Sequence, residues 1–364
     1  MTSLRPHLRV FGAVLPAARR WGVASAAAVL MAAGIGGGNA MADVTLKYSD
    51  HDPPGGMRTG FNKKVWLPEI EKQTGGEVKI QDFFGGALFK SKEILKGVGD
   101  GVTDIGFVFP GHYPRQLQAH GIYNLFPRGP KKYEDMVWLW REVNEKVPAF
   151  KAELKKANVV VVFYGAGLPA AFAGKKPIKQ IADIKGDKWR AGSKWLLKYL
   201  GNAGAQPVAV PWGDTYMALQ TGTIDGVLTN YDGLHMMKFD EVASNLLISK
   251  EFWFGVPLFH VMNAKKFNSL PKKLQDGIMK AGREAEAKFG AVYDAAFDQV
   301  RADQIKAGYK VNELSAADVK AWENADELAK LQAEWVAEAK KNGLANADEV
   351  MKQVRALHKQ ALAR

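Results

Sequence analysis

The feature that most constrains this chain is the order in which two hydrophobic periods alternate along it. Val44-Thr45-Leu46-Lys47-Tyr48-Ser49 has the period of two of a half-buried strand. It stops at Asp50-His51-Asp52-Pro53-Pro54-Gly55-Gly56, a run of turn formers. A helical stretch follows from Met57 to Thr74, closed by Gly75-Gly76, and then a strand from Glu77 to Phe83. Ser91 to Gly99 reads as a helix, and Thr103 to Phe109 as a buried strand ending at Pro110-Gly111. Such alternation predicts an α/β fold with a parallel sheet, because each helix must carry the chain back across one face of the sheet.

The same reading continues downstream. Tyr133 to Lys156 is a long amphipathic helix interrupted at Pro148, Val159-Val160-Val161-Val162-Phe163 is the clearest strand, and another α/β unit runs from Ile178 to Asn230. From Ser269 the chain turns helical, with Ser269 as the expected N-cap and Leu274, Ile278, Ala281, Ala285 and Phe289 along one face. A last helix is expected to open at Ser315, with Asp318 completing a capping box, and to stop at Asn342-Gly343. No low-complexity tether separates the two α/β halves, so several crossing strands are expected to join them.

The first forty-odd residues read differently. Arg5, Arg9, Arg19 and Arg20 precede an alanine-rich apolar run from Val23 to Ile35, and Ala40-Met41-Ala42 offers a small-residue cleavage site before Asp43. This is the organisation of a secretory signal peptide over residues 1–42. The apolar run falls short of the ~20 residues a spanning helix needs. The expectation is therefore a soluble protein released into the periplasm. With 364 residues and no cysteine, the chain has no disulfide, thiolate metal site or cysteine nucleophile, nor the usual lipid attachment point. The formal charge is +12, or +8 without the four N-terminal arginines, and both signs are interleaved. That distribution argues against nucleic acid, which calls for clustered basic residues with aromatics on one face, and suits anionic small molecules.

Three local patterns invite chemistry. Gly165-Ala166-Gly167-Leu168-Pro169-Ala170 follows the strongest strand in the spacing of a dinucleotide loop, but Pro169, Gly174 and Pro177 replace the helix such a loop must open. The glycines fit a backbone crossover better, and no cofactor is expected. Asp50-His51-Asp52 resembles a metal triplet, yet neighbouring side chains on an extended strand point apart, so no metal is expected. Asp50 and His51 remain candidate ligand contacts by their place at a strand's carboxyl end, as does Phe109. Trp189-Arg190-Ala191-Gly192, with Trp195, joins aromatics to an arginine, the residue best suited to planar, bidentate carboxylate recognition. No nucleophile elbow or phosphate loop occurs.

Longer motifs carry a family resemblance. Pro177-Ile178 followed by Ile184-Lys185-Gly186-Asp187-Lys188-Trp189-Arg190, and then Gly204-Ala205-Gln206-Pro207 leading to Tyr216-Met217-Ala218-Leu219-Gln220-Thr221-Gly222-Thr223-Ile224-Asp225-Gly226, resembles the solute-binding proteins of tripartite ATP-independent periplasmic (TRAP) transporters, the DctP-like family. Phe84-Gly85-Gly86-Ala87-Leu88 with Glu93, and Gly101-Val102-Thr103-Asp104-Ile105, are similar to its upstream segments. The resemblance implies a two-domain periplasmic binding protein fold with a central cleft, hinge strands and a long domain-spanning helix. It implies a non-enzymatic receptor that hands a small carboxylate to TRAP membrane subunits, with Arg190 gripping the carboxylate and Trp212 at the ligand-side aromatic position. Trp189, Asn230 and Tyr231 are the other candidate contacts. Expected domains are 43–165 with about 254–295, and about 166–253 with 296–364; the expected state is a monomer.

The chain also departs from the family pattern. A second arginine common in the preceding segment is missing, since Gly165 to Phe172 carries none, and Gly226-Val227-Leu228-Thr229-Asn230-Tyr231 replaces the polar run of sugar-acid binders. The expected ligand is therefore a less hydroxylated acid, either aromatic, branched or 2-oxo. A periplasmic sensor, or an enzyme on a similar fold, is the alternative reading.

Overall fold

The computed structural model describes residues 43–364, so the signal-peptide reading of 1–42 lies outside the described residues. Among the described residues no helix is long and apolar enough to cross a membrane.

The strands are β1 (Val44–Ser49), β2 (Val78–Phe83), β3 (Ile105–Val108), β4 (Val159–Gly165), β5 (Ala170–Gly174), β6 (Lys188–Ala191), β7 (Gln206–Val208), β8 (Gly226–Asn230), β9 (Asn245–Ile248), β10 (Leu258–Asn263) and β11 (Lys310–Glu313). They form two sheets, ordered β2-β1-β3-β10-β4 and β11-β9-β5-β8-β6-β7. The expected parallel pairing holds at β1 with β2, Val44 opposite Val78 through Ser49 opposite Phe83, and again for β6 with β7 and with β8. Each sheet also contains a reversed strand: β10 is antiparallel to β3 and β4, and β5 to β8 and β9.

The reversal has a topological cause. The β4–β5 and β9–β10 connections each carry the chain from one sheet to the other, so β5 and β10 start where the neighbouring strands end. The carboxyl ends of β1, β3, β6 and β8 consequently gather between the sheets, the place where α/β folds hold ligands. Gly165 and Gly167 lie in the β4–β5 crossing, as the crossover reading anticipated, and Gly167 is so close to Asn230 that a Cβ there would fall 2.8 Å from that residue's own Cβ.

A helix of 35 residues, Lys272–Lys306, runs along both sheets. It spans about 50 Å at 1.5 Å per residue. Leu274, Ile278, Ala281, Ala285 and Phe289 are buried on one side, as the spacing predicted. It packs on β4 and Leu67–Gln73 in the first half and on Tyr231–Met236 and β11 in the second. Its N-cap is Pro271 and not Ser269, whose hydroxyl donates to Lys266 O and closes the preceding helix Ala264–Ser269.

The helix predicted from Tyr133 breaks at Pro148 as expected, into Tyr133–Lys146 and Pro148–Lys156. The Ser315/Asp318 capping box is present, but that helix ends at Glu323 and a new one, Ala325–Lys341, starts with Asn324 as its cap. A further helix, Ala347–Leu362, lies beyond the expected stop at Gly343. Its buried Val350, Met351, Val354 and Leu357 pack along Tyr133–Lys146, and Arg364 Nε reaches Asp135 at 2.8 Å. The C-terminal helices therefore touch the first half, while Lys194 and Lys198 of the second pair with Glu338 and Glu334.

Candidate functional site

The strand ends converge on a cavity of about 40 Å³ available to the centre of a water molecule. Arg190 comes from β6, where side chains alternate: Trp189 turns into the second sheet's core against Phe172, and Arg190 turns into the cavity. Arg190 is 2% exposed; its Nε donates to Val210 O at 3.0 Å, while Nη1 is buried with no partner. Its Cζ stands 5.3 Å from the Trp212 ring centroid. Burial, with no acidic neighbour to offset it, lowers its pKa to about 10. This is a desolvated cation whose counter-ion the described residues do not supply.

Six of the sixteen lining residues carry aromatic rings: His51, Phe107, Phe109, His112, Trp212 and Phe254. Phe109 stacks on Phe254 with ring centroids 5.6 Å apart, and His51 stacks on Phe107 at 4.9 Å. His112 meets Phe109 edge-on. Burial pushes both imidazoles below the ordinary range, with the Asp52 and Asp50 carboxylates partly opposing the shift at His51. The Nδ1 atoms of His51 and His112 are buried without partners. Met236 closes one side against Gly56, where a Cβ would fall 2.5 Å from the Met236 sulfur. Asp232 is also in the lining; it accepts from Leu168 N and Asn230 Nδ2, both at 2.8 Å, and burial raises its pKa.

A second guanidinium lies across from Arg190. Arg58, from the helix Met57–Phe61, sits with its Cζ 3.5 Å from the Phe107 ring centroid. Its Nη1 donates to Asp50 Oδ2 at 2.6 Å, and its Nη2 to Asp50 Oδ1 at 3.0 Å and Asp52 Oδ2 at 2.7 Å. Burial works against its charge, but Asp50 and Asp52 outweigh burial and raise its pKa. Asp52 Oδ1 also accepts the Trp212 indole N–H at 2.7 Å, which ties the end of β1 to the second half.

Of the residues expected at the site, His51, Phe109, Arg190, Trp212 and Asn230 line the cavity. Asp50 does not: it is fully buried behind the wall, held by Arg58 and by the Tyr48 hydroxyl at 2.5 Å. Tyr231 turns away, its hydroxyl on Gln304 and its ring on Phe297. Trp189 is core, as described. The sequence reading missed Arg58, Asp52, His112, Asp232 and Met236 as a set; the Asp-x-Asp spacing at a strand end, with an arginine in the next helix, was the available signal.

The profile of the bacterial extracellular solute-binding proteins, family 7 (DctP), matches residues 57–338. A solute-binding protein of Albidiferax ferrireducens is 28% identical over 77% of this chain and 83% of its own. A marine metagenome TRAP solute binding protein specific for aromatic acid ligands, solved with 3-hydroxybenzoate, superposes with a TM-score of 0.77 at 23% identity, covering 88% of this chain and 99% of that one. A TRAP periplasmic solute binding protein from Rhodoferax ferrireducens, solved with malonate, gives 0.72 at 25%, covering 87% and 98%.

Proposed function

The chain belongs to the bacterial extracellular solute-binding proteins of family 7, and on that premise we propose that it captures a small organic acid between its two halves, with Arg190 as the carboxylate anchor. The observation that carries this reading is the buried, unpartnered Arg190 Nη1 facing an aromatic cavity. A guanidinium held out of water without a counter-ion is costly until a carboxylate supplies two parallel charge-assisted bonds.

The walls favour an acid with an apolar body. Phe107, Phe109, Phe254 and Met236 offer no polar partners, so each sugar hydroxyl pressed against them would lose about 1–3 kcal/mol of hydration uncompensated. The carboxylates in the two solved neighbours, one aromatic and one a diacid, support the acid class. In this reading the leader is cleaved, and the mature monomer works in the periplasm. Residues 43–165 with 254–295 form one domain, and 166–253 with 296–364 the other. Closure presents the loaded receptor to TRAP membrane subunits, and the acid leaves chemically unchanged.

The test is a thermal-shift and calorimetric screen of residues 43–364 against mono- and dicarboxylic acids, repeated with Arg190→Met. Binding to the folded state raises the melting temperature by linkage. Acids are expected to bind wild type and to lose at least 100-fold in affinity in the variant. Shifts produced by neutral or cationic solutes but by no acid would sink the assignment.

A further inference from the structure

Two arginines line one cavity, yet only one is available to a ligand. Both terminal nitrogens of Arg58 are committed to Asp50 and Asp52, while Arg190 has none of its terminal nitrogens on a carboxylate. Asp50 is sealed behind the wall, whereas Asp52 is part of the lining and divides its two oxygens between Arg58 and Trp212. We propose that Asp52 acts as a built-in surrogate carboxylate that occupies Arg58 and thereby restricts the site to monocarboxylates. The inference rests on the Arg190 reading and names the charge class that the site accepts.

The argument is one of charge in a desolvated space. Arg58 and Arg190 bring two positive charges to the cavity, Asp52 brings one negative charge to its lining, and Asp50 sets another behind the wall against Arg58. His51 and His112 are held neutral by burial, and Asp232 either adds a negative charge or is protonated. With Asp50 counted, the site is therefore neutral or negative before any ligand enters. A monocarboxylate on Arg190 adds one negative charge that is paired at once. A diacid adds a second carboxylate, and the other arginine among the described lining residues, Arg58, is already taken; an unpaired buried charge is strongly disfavoured. The second carboxylate would also face Asp52, a like charge in a site of low dielectric. Trp212 adds geometry to this: its indole N–H fixes Asp52 from the opposite half, so the aspartate cannot swing out to release Arg58 while the halves are together.

The proposal predicts a gain of binding, which a merely damaged site does not produce. Affinities are measured calorimetrically for benzoate against the three benzenedicarboxylates, and for butanoate against succinate, at one pH and salt concentration. Wild type is expected to prefer the monoacid of at least one pair by tenfold or more. Asp52→Asn keeps the shape and the acceptor for Trp212 and removes the carboxylate on the cavity side of Arg58, whose other partner, Asp50, stays in place; it is expected to shrink that preference at least tenfold through tighter diacid binding. The triple variant Asp50→Asn/Asp52→Asn/Arg58→Gln, which removes the cation without stranding the buried Asp50 carboxylate, is expected to lose the gained diacid affinity while still binding the monoacid. Retained monoacid binding shows that the variants are folded, and Asp52→Ser replaces Asp52→Asn should the latter fail to fold.

Equal affinity for both acids of each pair in wild type, an unchanged ratio in Asp52→Asn, or a gain that survives loss of Arg58 would each overturn the proposal. If monoacid binding depends on Arg190 while the ratio stays fixed, the anchor stands and only the role of Asp52 falls. If no acid binds wild type or variant, both fall together.

Discussion

At the scale of single residues, the site is built on a cost. Arg190 keeps its charge while 2% exposed, with no partner for Nη1, and the lowered pKa of about 10 reflects that cost. A shift of that size in a base that stays protonated at neutral pH corresponds to roughly 3 kcal/mol against the folded state. Arg190→Met is therefore expected to stabilise the ligand-free protein by about 1–3 kcal/mol in denaturant titration, in the same variant that no longer binds acids. A fall in stability would mean that Arg190 holds the fold together through contacts other than the Val210 carbonyl.

His260 makes a complementary case. It is fully buried between Trp66, Phe107 and Phe163, with Arg58, Asp50 and Asn62 as its polar surroundings, and burial, followed by the Arg58 charge, holds its pKa well below the ordinary imidazole value. The unfolded chain takes up this proton below about pH 6.5 and the folded chain does not. The stability owed to neutral His260 is thus intact above that range and declines as pH falls, by at most ~1.4 kcal/mol per pH unit. His260→Gln is expected to flatten the stability profile between pH 7 and pH 5; an unchanged slope would assign it to His51, His112 and His358 alone.

At the scale of elements, close packing overrides local preference. On the long helix, Gly282 faces β4 so closely that a Cβ would fall 1.8 Å from the Val162 carbonyl oxygen. Helix propensity alone says that alanine there gains about 1 kcal/mol. The clash is with backbone and not with the far end of a flexible side chain, and overpacking costs typically about 1–3 kcal/mol. Gly282→Ala is expected to lower the melting temperature; a rise would show that helix and strand are less tightly seated than they look.

The same competition explains what was legible beforehand. Strands such as Val159–Gly165 announce themselves because burial on both faces demands an unbroken apolar run. Arg190 was legible because its motif and its chemistry coincide. The helix starting at Lys272 was misplaced because Ser269, a good cap by type, is used to end the helix before it. The last helix was missed because Gly343 reads as a terminator, whereas its φ of +98° serves a turn into the next helix. Arg58 and Asp52 were not legible as a unit, since their meaning depends on Trp212, which only the tertiary fold brings to them.

At the scale of the whole molecule, β10 lies between β3 and β4, and β5 lies between β9 and β8. The first sheet thus needs strands from before and after the second sheet's main segment, and the second sheet takes β11 from beyond β10. A chain truncated after residue 250 lacks the strand that joins β4 to β3, although every preceding strand is present. That fragment is expected to show no cooperative unfolding in calorimetry; a sharp transition would mean that one half folds without the return crossing.

The return crossing also sets a timetable. A polypeptide appears N-terminus first, whether from a ribosome or from an export channel. Until Leu258–Asn263 follows, the all-valine stretch of β4 has no neighbour on which to form hydrogen bonds. Long-range pairing of this kind is slow because the intervening loop must close first. The interval is a hazard, since an unpaired apolar strand can adhere to other chains. It is equally an advantage wherever a chain passes through a narrow pore unfolded. An interleaved pair of sheets cannot lock prematurely, so the nascent chain stays threadable until Leu258–Asn263 has been made.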